Sequence, residues 1–292
     1  MRRLTGVFLV VVSAAAFGTL AIFARFAFAD SVDAVTLSFF RFTLAAAGMA
    51  VPLAARREPL PRGRTLGWLI AMGALGYVGQ SSAYLTALQF IPAGTVALLL
   101  YLYPIFVAAL SAVFLKERLT RVKFAAMGLA LVGMALTVGP EWTGRWQGVA
   151  LALTGAAIYS VYILVGTHVM RRVTVFQSST VILASAGLTF GAWMAARGPH
   201  LPATAGGWLA ILGVVVVSTI LPVATFLAGL ERIGPTNAAM LSTLEPVVTV
   251  LLAAGLLGEA ITPLTVFGGA LILAAVLLLT RAEVTARPEE SV

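Results

Sequence analysis

ALLLYLYPIFVAALSAVFLKERLT, residues 97–120, returns 142 residues later as AMLSTLEPVVTVLLAAGLLGEAIT, residues 239–262. Without a gap, nine of the 24 positions are identical, among them Pro104/Pro246, Glu117/Glu259 and Thr120/Thr262. Shared leucines and alanines carry little weight in so apolar a chain. A proline and a glutamate at one offset carry more, because the 292 residues hold only 13 prolines and 11 acids. The same offset aligns Gly6 with Gly148, Val7 with Val149, and Ala14 and Ala15 with Ala156 and Ala157. Self-similarity at one fixed period marks a duplicated unit.

Composition sets the class of that unit. Hydrophobic residues make up 60% of the chain and charged ones 10%, with a mean hydropathy of +1.02. A soluble protein of this length needs a far more charged surface, so the chain reads as an integral membrane protein. The net charge of +8 is no nucleic-acid footprint, because the basic residues fall in short clusters between apolar runs, where membrane topology is decided. The chain has no cysteine, which excludes disulfides, thiolate catalysis and Cys metal sites. His168 and His200 fall at span ends without ligand spacing, so neither a metal nor a cofactor is expected.

Ten apolar runs follow, at 4–28, 34–54, 66–89, 93–115, 124–138, 148–169, 176–196, 208–230, 236–257 and 263–280. The longer ones cross a ~30 Å hydrocarbon layer. The first follows Arg2 and Arg3 but is too long for a cleaved signal, and it has an internal repeat partner. If the N-terminus is inside, 15 of the 19 Lys and Arg fall on the inside. They cluster at 2–3, 56–64, 116–123, 171–172, 232 and 281–287, against Arg145 and Arg197 outside. The bias places both termini in the cytoplasm. The expected fold is therefore all-α, with ten transmembrane helices as two five-helix repeats, 1–140 and 145–282, followed by a short disordered tail at 283–292. Five spans per repeat forces the second repeat to enter from the opposite side, so the halves are inverted.

Ten spans in two such repeats, ending in L-x-P…L-x-E-x-x-T and L-E-P-V…L-G-E-x-x-T, resemble the EamA branch of the drug/metabolite transporter superfamily. The resemblance extends over almost the whole chain. It implies a bacterial inner-membrane exporter of amino acids or related small metabolites, similar above all to aromatic amino acid exporters. Multidrug or other metabolite export on the same fold is the alternative reading. The motif itself includes Glu245, so this acid is a feature of the family pattern.

Glu245 lies about nine residues into its span, ~13 Å from the surface and close to the midplane. An acid at that depth is costly and by default functional, as a proton-coupling site or a partner for a substrate ammonium. The competing reading is a hydrogen-bonded structural acid beside the break at Pro246. Pro104, Pro222 and Pro246 each remove a helical hydrogen bond and read as hinges. Tyr77, Gln80, Ser81 and Tyr84 share one helix face at i, i+3, i+4, i+7, a stripe suited to lining a cavity. Phe17, Tyr103, Tyr159, Ser160 and Ser242 complete the expected substrate-binding set. Tyr101, two residues from Tyr103, is set aside as facing elsewhere on a continuous helix. Arg41 is read as snorkelling to the outer interface or pairing with Asp30 or Asp33, with a carboxylate contact as the alternative. Arg25 is read as snorkelling. Gly73, Gly76, Gly79, Gly128, Gly133, Gly268 and Gly269 are expected to permit close helix approach.

A secondary transporter fits this pattern, with an amino-acid-like substrate, membrane lipids as surroundings, protons as the candidate coupling ion and a single chain as a sufficient pathway. There is no P-loop. A membrane enzyme would need a catalytic cluster, and Glu245 is the only acid deep in a span.

Overall fold

The computed structural model describes residues 2–114, 120–138, 142–169, 173–242 and 244–285. Nearly all of them are helical, and none is in a strand. The order is α1 (Arg2–Gly18), α2 (Leu20–Ala29), α3 (Ala34–Ala55), α4 (Gly63–Ala71), α5 (Val78–Ala87), α6 (Ala93–Leu100), α7 (Tyr103–Phe114), α8 (Arg121–Val138) and α9 (Trp142–Val169). Then follow α10 (Val175–Arg197), α11 (Ala205–Leu212), α12 (Leu221–Ser242), α13 (Leu244–Leu257) and α14 (Pro263–Thr285). Two π-helical stretches join these pieces, Met72–Tyr77 between α4 and α5 and Gly213–Ile220 between α11 and α12.

Among the described residues, five helices are long and apolar enough to cross a membrane: Leu4–Ala29, Ala34–Ala55, Arg145–Gly166, Val175–Arg197 and Ala205–Gly229. Shorter apolar helices include Phe124–Leu136, Leu244–Leu257 and Pro263–Leu278. Large apolar side chains such as Phe8, Leu75, Leu188, Leu209 and Phe267 are exposed. That exterior is an oily surface suited to lipid rather than water.

Sequence periodicity treats the fourth run as one helix. The chain instead breaks at Tyr101 and Leu102, so α6 and α7 are separate pieces. A second departure concerns the turn expected between residues 230 and 236, because α12 is helical through that segment. It cannot be straight. Phe226 and Leu241 both pack on Val10, whereas fifteen residues of straight helix would hold them ~22 Å apart. The chain therefore reverses inside α12 without leaving the helical region. The last helix runs on to Thr285, and the remainder of the tail lies outside the described residues, as do Lys116, Glu117 and Arg118.

The long helices pack in pairs: α3 on α10, α8 on α14, α1 on α12 and α5 on α9. Glycines set several of these approaches. A Cβ on Gly133 would stand 2.7 Å from the Gly268 carbonyl oxygen and 2.9 Å from the Ile272 side chain. One on Gly73 would meet the Ser185 hydroxyl and the Ile182 carbonyl. Gly128 corrects the sequence reading, since a Cβ there meets nothing within 4 Å. Gly133→Leu is accordingly expected to lower the thermal midpoint of the detergent-purified protein by the equivalent of about 1–3 kcal/mol. Gly128→Leu, one and a half turns away, should leave that midpoint unchanged.

Candidate functional site

Helix α6 stops at Leu100 and α7 begins at Tyr103, with a turn at Tyr101 and Leu102 between them. At the equivalent place of the 142-residue repeat stand Ser242 and Leu244, on either side of Thr243, which lies outside the described residues. Pro104 falls in the first turn of α7, where a proline gives up no helical hydrogen bond. It follows the break rather than kinking a continuous helix. The Pro104 side chain lies outside the described residues. Pro222 sits at the second position of α12, directly after the π-helical stretch, and its carbonyl accepts from the Ser13 hydroxyl at 2.8 Å.

The break between α6 and α7 opens onto a cavity of about 290 Å³. Its wall carries Phe17, Tyr77, Gln80, Ser81, Tyr84, Tyr103, Tyr159, Ser242 and Glu245, all but one of the side chains singled out from sequence as substrate-binding. Ser160 is not in the wall. It is fully buried, and its one hydroxyl hydrogen is shared between the Tyr103 carbonyl at 3.0 Å and the Ala156 carbonyl at 2.7 Å. Sequence reasoning missed Leu20, Arg41, Leu100, Tyr101 and Phe226, which complete the lining. Tyr101 corrects an argument that assumed an unbroken helix: the break at 101–102 turns it into the same space as Tyr103. Phe226 is the repeat partner of Tyr84, a signal that was present in the sequence.

All six tyrosines of the chain gather here. Tyr101, Tyr103, Tyr159, Tyr162 and Tyr77 form a run of neighbouring rings with centroids 4.9–6.0 Å apart, and Tyr84 adds a further ring to the wall. At one edge Glu245 receives the Tyr101 hydroxyl at 2.9 Å; the same hydroxyl lies 2.6 Å from the Ser242 carbonyl.

Arg41 also departs from its sequence reading. It is 5% exposed, and it reaches neither Asp30 nor Asp33. Its Nε donates to the Thr219 hydroxyl at 3.0 Å. Asp33 instead caps α3 through the Thr36 amide, and Asp30 accepts from the Thr204 amide. Arg25 does not snorkel either. It donates to the Ile91 carbonyl at 2.8 Å and lies 3.9 Å from Glu259. Glu259 accepts from the amides of Ala93 and Gly94, at 2.8 and 3.3 Å. It thereby caps α6 from the other half of the chain, where a carboxylate also complements the helix dipole. Among the described residues no cluster of His, Cys, Asp or Glu could hold a metal ion.

The sequence pattern of the EamA-like transporter family matches residues 4–139 and again 146–281. The chain belongs to that family. It is a multi-pass membrane protein whose relatives are transporters. It is 30% identical to the "Probable terminal-alkyne amino-acid exporter" of Streptantibioticus cattleyicolor, over 90% of this chain and 89% of that one. It is 28% identical to an "Uncharacterized transporter" of Archaeoglobus fulgidus, over 93% and 95% of the two chains. With the inner membrane transporter YedA of Escherichia coli K12 it shares 27% identity over 70% and 67%. One solved crystal structure shares the fold at a TM-score of 0.68 and 21% identity, over 98% of this chain and all of that one.

Because this EamA-family chain has no native cysteine, single cysteines report directly on its cavity. Gln80→Cys should react with a small water-soluble thiol reagent at least ~10-fold faster than Ser160→Cys, whose position is sealed behind the Tyr103 backbone.

Proposed function

We propose that this protein is a secondary transporter that exports amino acids, neutral or aromatic ones above all, or closely related small metabolites, by alternating access around the tyrosine-walled cavity. The observation that carries the reading is the cavity itself. Both halves of the chain build it beside the break between α6 and α7, and it holds an acid, Glu245, among aromatic rings. Such breaks at a repeat interface are where transporters place their substrates. The carboxylate suits a substrate ammonium, and the rings suit an apolar side chain. The S. cattleyicolor relative, named as an amino-acid exporter, points the same way.

Ten spans in two inverted repeats are the architecture proposed to support this cycle. Equivalent contacts favour it. Gly18 is the repeat partner of Ser160, and Glu245 of Tyr103. Gly18 packs directly on the Glu245 carbonyl, as Ser160 bonds the Tyr103 carbonyl. The helix pairs α1–α13 and α9–α7 are related in the same way, and α3–α10 and α8–α14 each pair an element with its own repeat partner.

The two ends of the cavity are unequal. Ala21, Ile22, Tyr84 and Leu85 are buried on one side, whereas their partners Ile163, Leu164, Phe226 and Leu227 are half-buried. With both termini cytoplasmic in a bacterial inner membrane, as the distribution of basic residues supports, the tight end faces outward. The protein then stands in a cytoplasm-facing state, its outer end latched by Glu259 across the N-terminus of α6. The halves rock about the segments at Pro104, Pro222 and Pro246. One chain supplies the whole pathway.

A second role for Glu245 has its own observation. The Tyr101 hydroxyl carries one hydrogen but stands at bonding distance from two acceptors. Both contacts are made whole only when the carboxyl brings its own proton, so Glu245 is placed to exchange protons for substrate. In proteoliposomes, a proton gradient opposed to substrate movement should accelerate flux of labelled phenylalanine through the wild type. Glu245→Gln should abolish that response. Flux that ignores the gradient and survives the substitution would leave a facilitator and make Glu245 structural.

A further inference from the structure

We propose that Arg41, with Ser81, is the carboxylate-recognising subsite of the cavity, so that the substrate class narrows to amino acids with a free α-carboxylate. The inference rests on the transport reading given above and adds to it the second pole of a zwitterion.

Arg41 sits eight residues into α3, deep in a membrane-spanning helix, where an uncompensated guanidinium is among the costliest groups a protein can carry. It nonetheless makes no ion pair with any carboxylate among the described residues. The Nε–Thr219 bond uses one of its five donors, and the Phe42 ring lies 5.0 Å from its central carbon. Thr219 is itself held in place. It belongs to the π-helical stretch Gly213–Ile220, and its hydroxyl donates five residues back to the Val214 carbonyl at 2.8 Å. That leaves its oxygen lone pairs for Arg41. The anchored Nε fixes the guanidinium plane, while the terminal nitrogens have no protein acceptor among the described residues. A planar fork with two free donors is the geometry that takes a carboxylate bidentately.

Ser81 is an independent second observation. The residue is 1% exposed and lines the same cavity, yet its hydroxyl has no hydrogen-bond partner among the described residues. Buried hydroxyls are ordinarily paired. A ligand carboxylate in the cavity would serve both Arg41 and Ser81. Glu245 is in the same wall and does not pair with Arg41, so one cavity holds separate places for an anion and a cation. An amine lacking the carboxylate would leave the guanidinium buried and unpaired, which is the strongest kind of rejection a site can make.

The test is competition against labelled phenylalanine flux in proteoliposomes, using unlabelled phenylalanine, phenylalaninamide and phenethylamine. Wild type should be inhibited by the amino acid at a concentration at least ~10-fold below that needed for the amide or the amine. In Arg41→Gln the preference should collapse while inhibition by the amine persists; Arg41→Lys, charged but not forked, should recover part of it. A purely structural Arg41 would lower flux and leave the preference intact, which would overturn the proposal. Equal inhibition of wild type by all three compounds would overturn it too, without any variant having to fold. Carriage of the amine with no carriage of amino acids would remove the carboxylate subsite and leave the transporter. A wild type that moves no probe at all would overturn the transport reading together with the subsite.

Discussion

Inside a hydrocarbon layer the backbone can leave the α-helix only where something other than water satisfies the groups it frees. Several irregular points among the described residues meet that constraint through hydroxyl groups. At the α1–α2 break the Ala16 carbonyl takes the Thr19 hydroxyl, and the Gly18 carbonyl takes that of Thr249. At the α6–α7 break Ser160 serves the Tyr103 carbonyl, and Tyr101 serves that of Ser242, four residues before Pro246. Ser13 does the same for Pro222. Apart from Thr19, these donors come from the other half of the chain, so they also tie the two halves together. The cavity lies beside the α6–α7 break, where Leu100, Tyr101 and Tyr103 enter its wall.

The same economy governs charge. Few ionisable groups enter the bundle, and those that do have separate tasks. Glu259 and Arg25 secure the turn before α6 near one surface. Arg41 and Glu245 stand in the central wall unpaired with each other. Direct pairing would have neutralised both at little cost. Keeping them apart leaves the empty cavity with an unpaired guanidinium, and on the proposed transport cycle that favours a ligand bearing both signs.

Much of this was legible in the sequence, and the failures share one cause. The repeat offset, the apolar runs and the four-residue stripe from Tyr77 to Tyr84 rest on periodicity, which a membrane enforces strongly. The same periodicity misled at Tyr101, because two positions on an unbroken helix face apart whereas two positions across a break need not. It misled again at Arg41, where an arginine eight residues into a span has an easy route to the interface unless Thr219 holds it, and no local pattern announces a contact 178 residues away. Gly128 and Gly133 look alike in sequence. Only the packing of α14 separates them. The capping role of Glu259 was signalled by its repetition at Glu117, but the spacing does not say what a repeated acid caps.

The two π-helical stretches fall at matching places of the repeat: Met72 and Tyr77 correspond to Val214 and Thr219, both inside the second stretch. A π turn is an α-helix carrying one extra residue. Since each residue turns a helix by about 100°, that extra residue sets the angle between the span's outer part, which packs on its neighbours, and the part that faces the cavity. It acts as a register key. Deleting one residue from Met72–Tyr77 would restore an unblemished α-helix and, with no change in composition or hydropathy, rotate Gln80 and Tyr84 out of the cavity wall. For this bundle the more regular helix would present a different cavity lining, so the length of these two stretches bears on the cavity wall as well as on the packing around it.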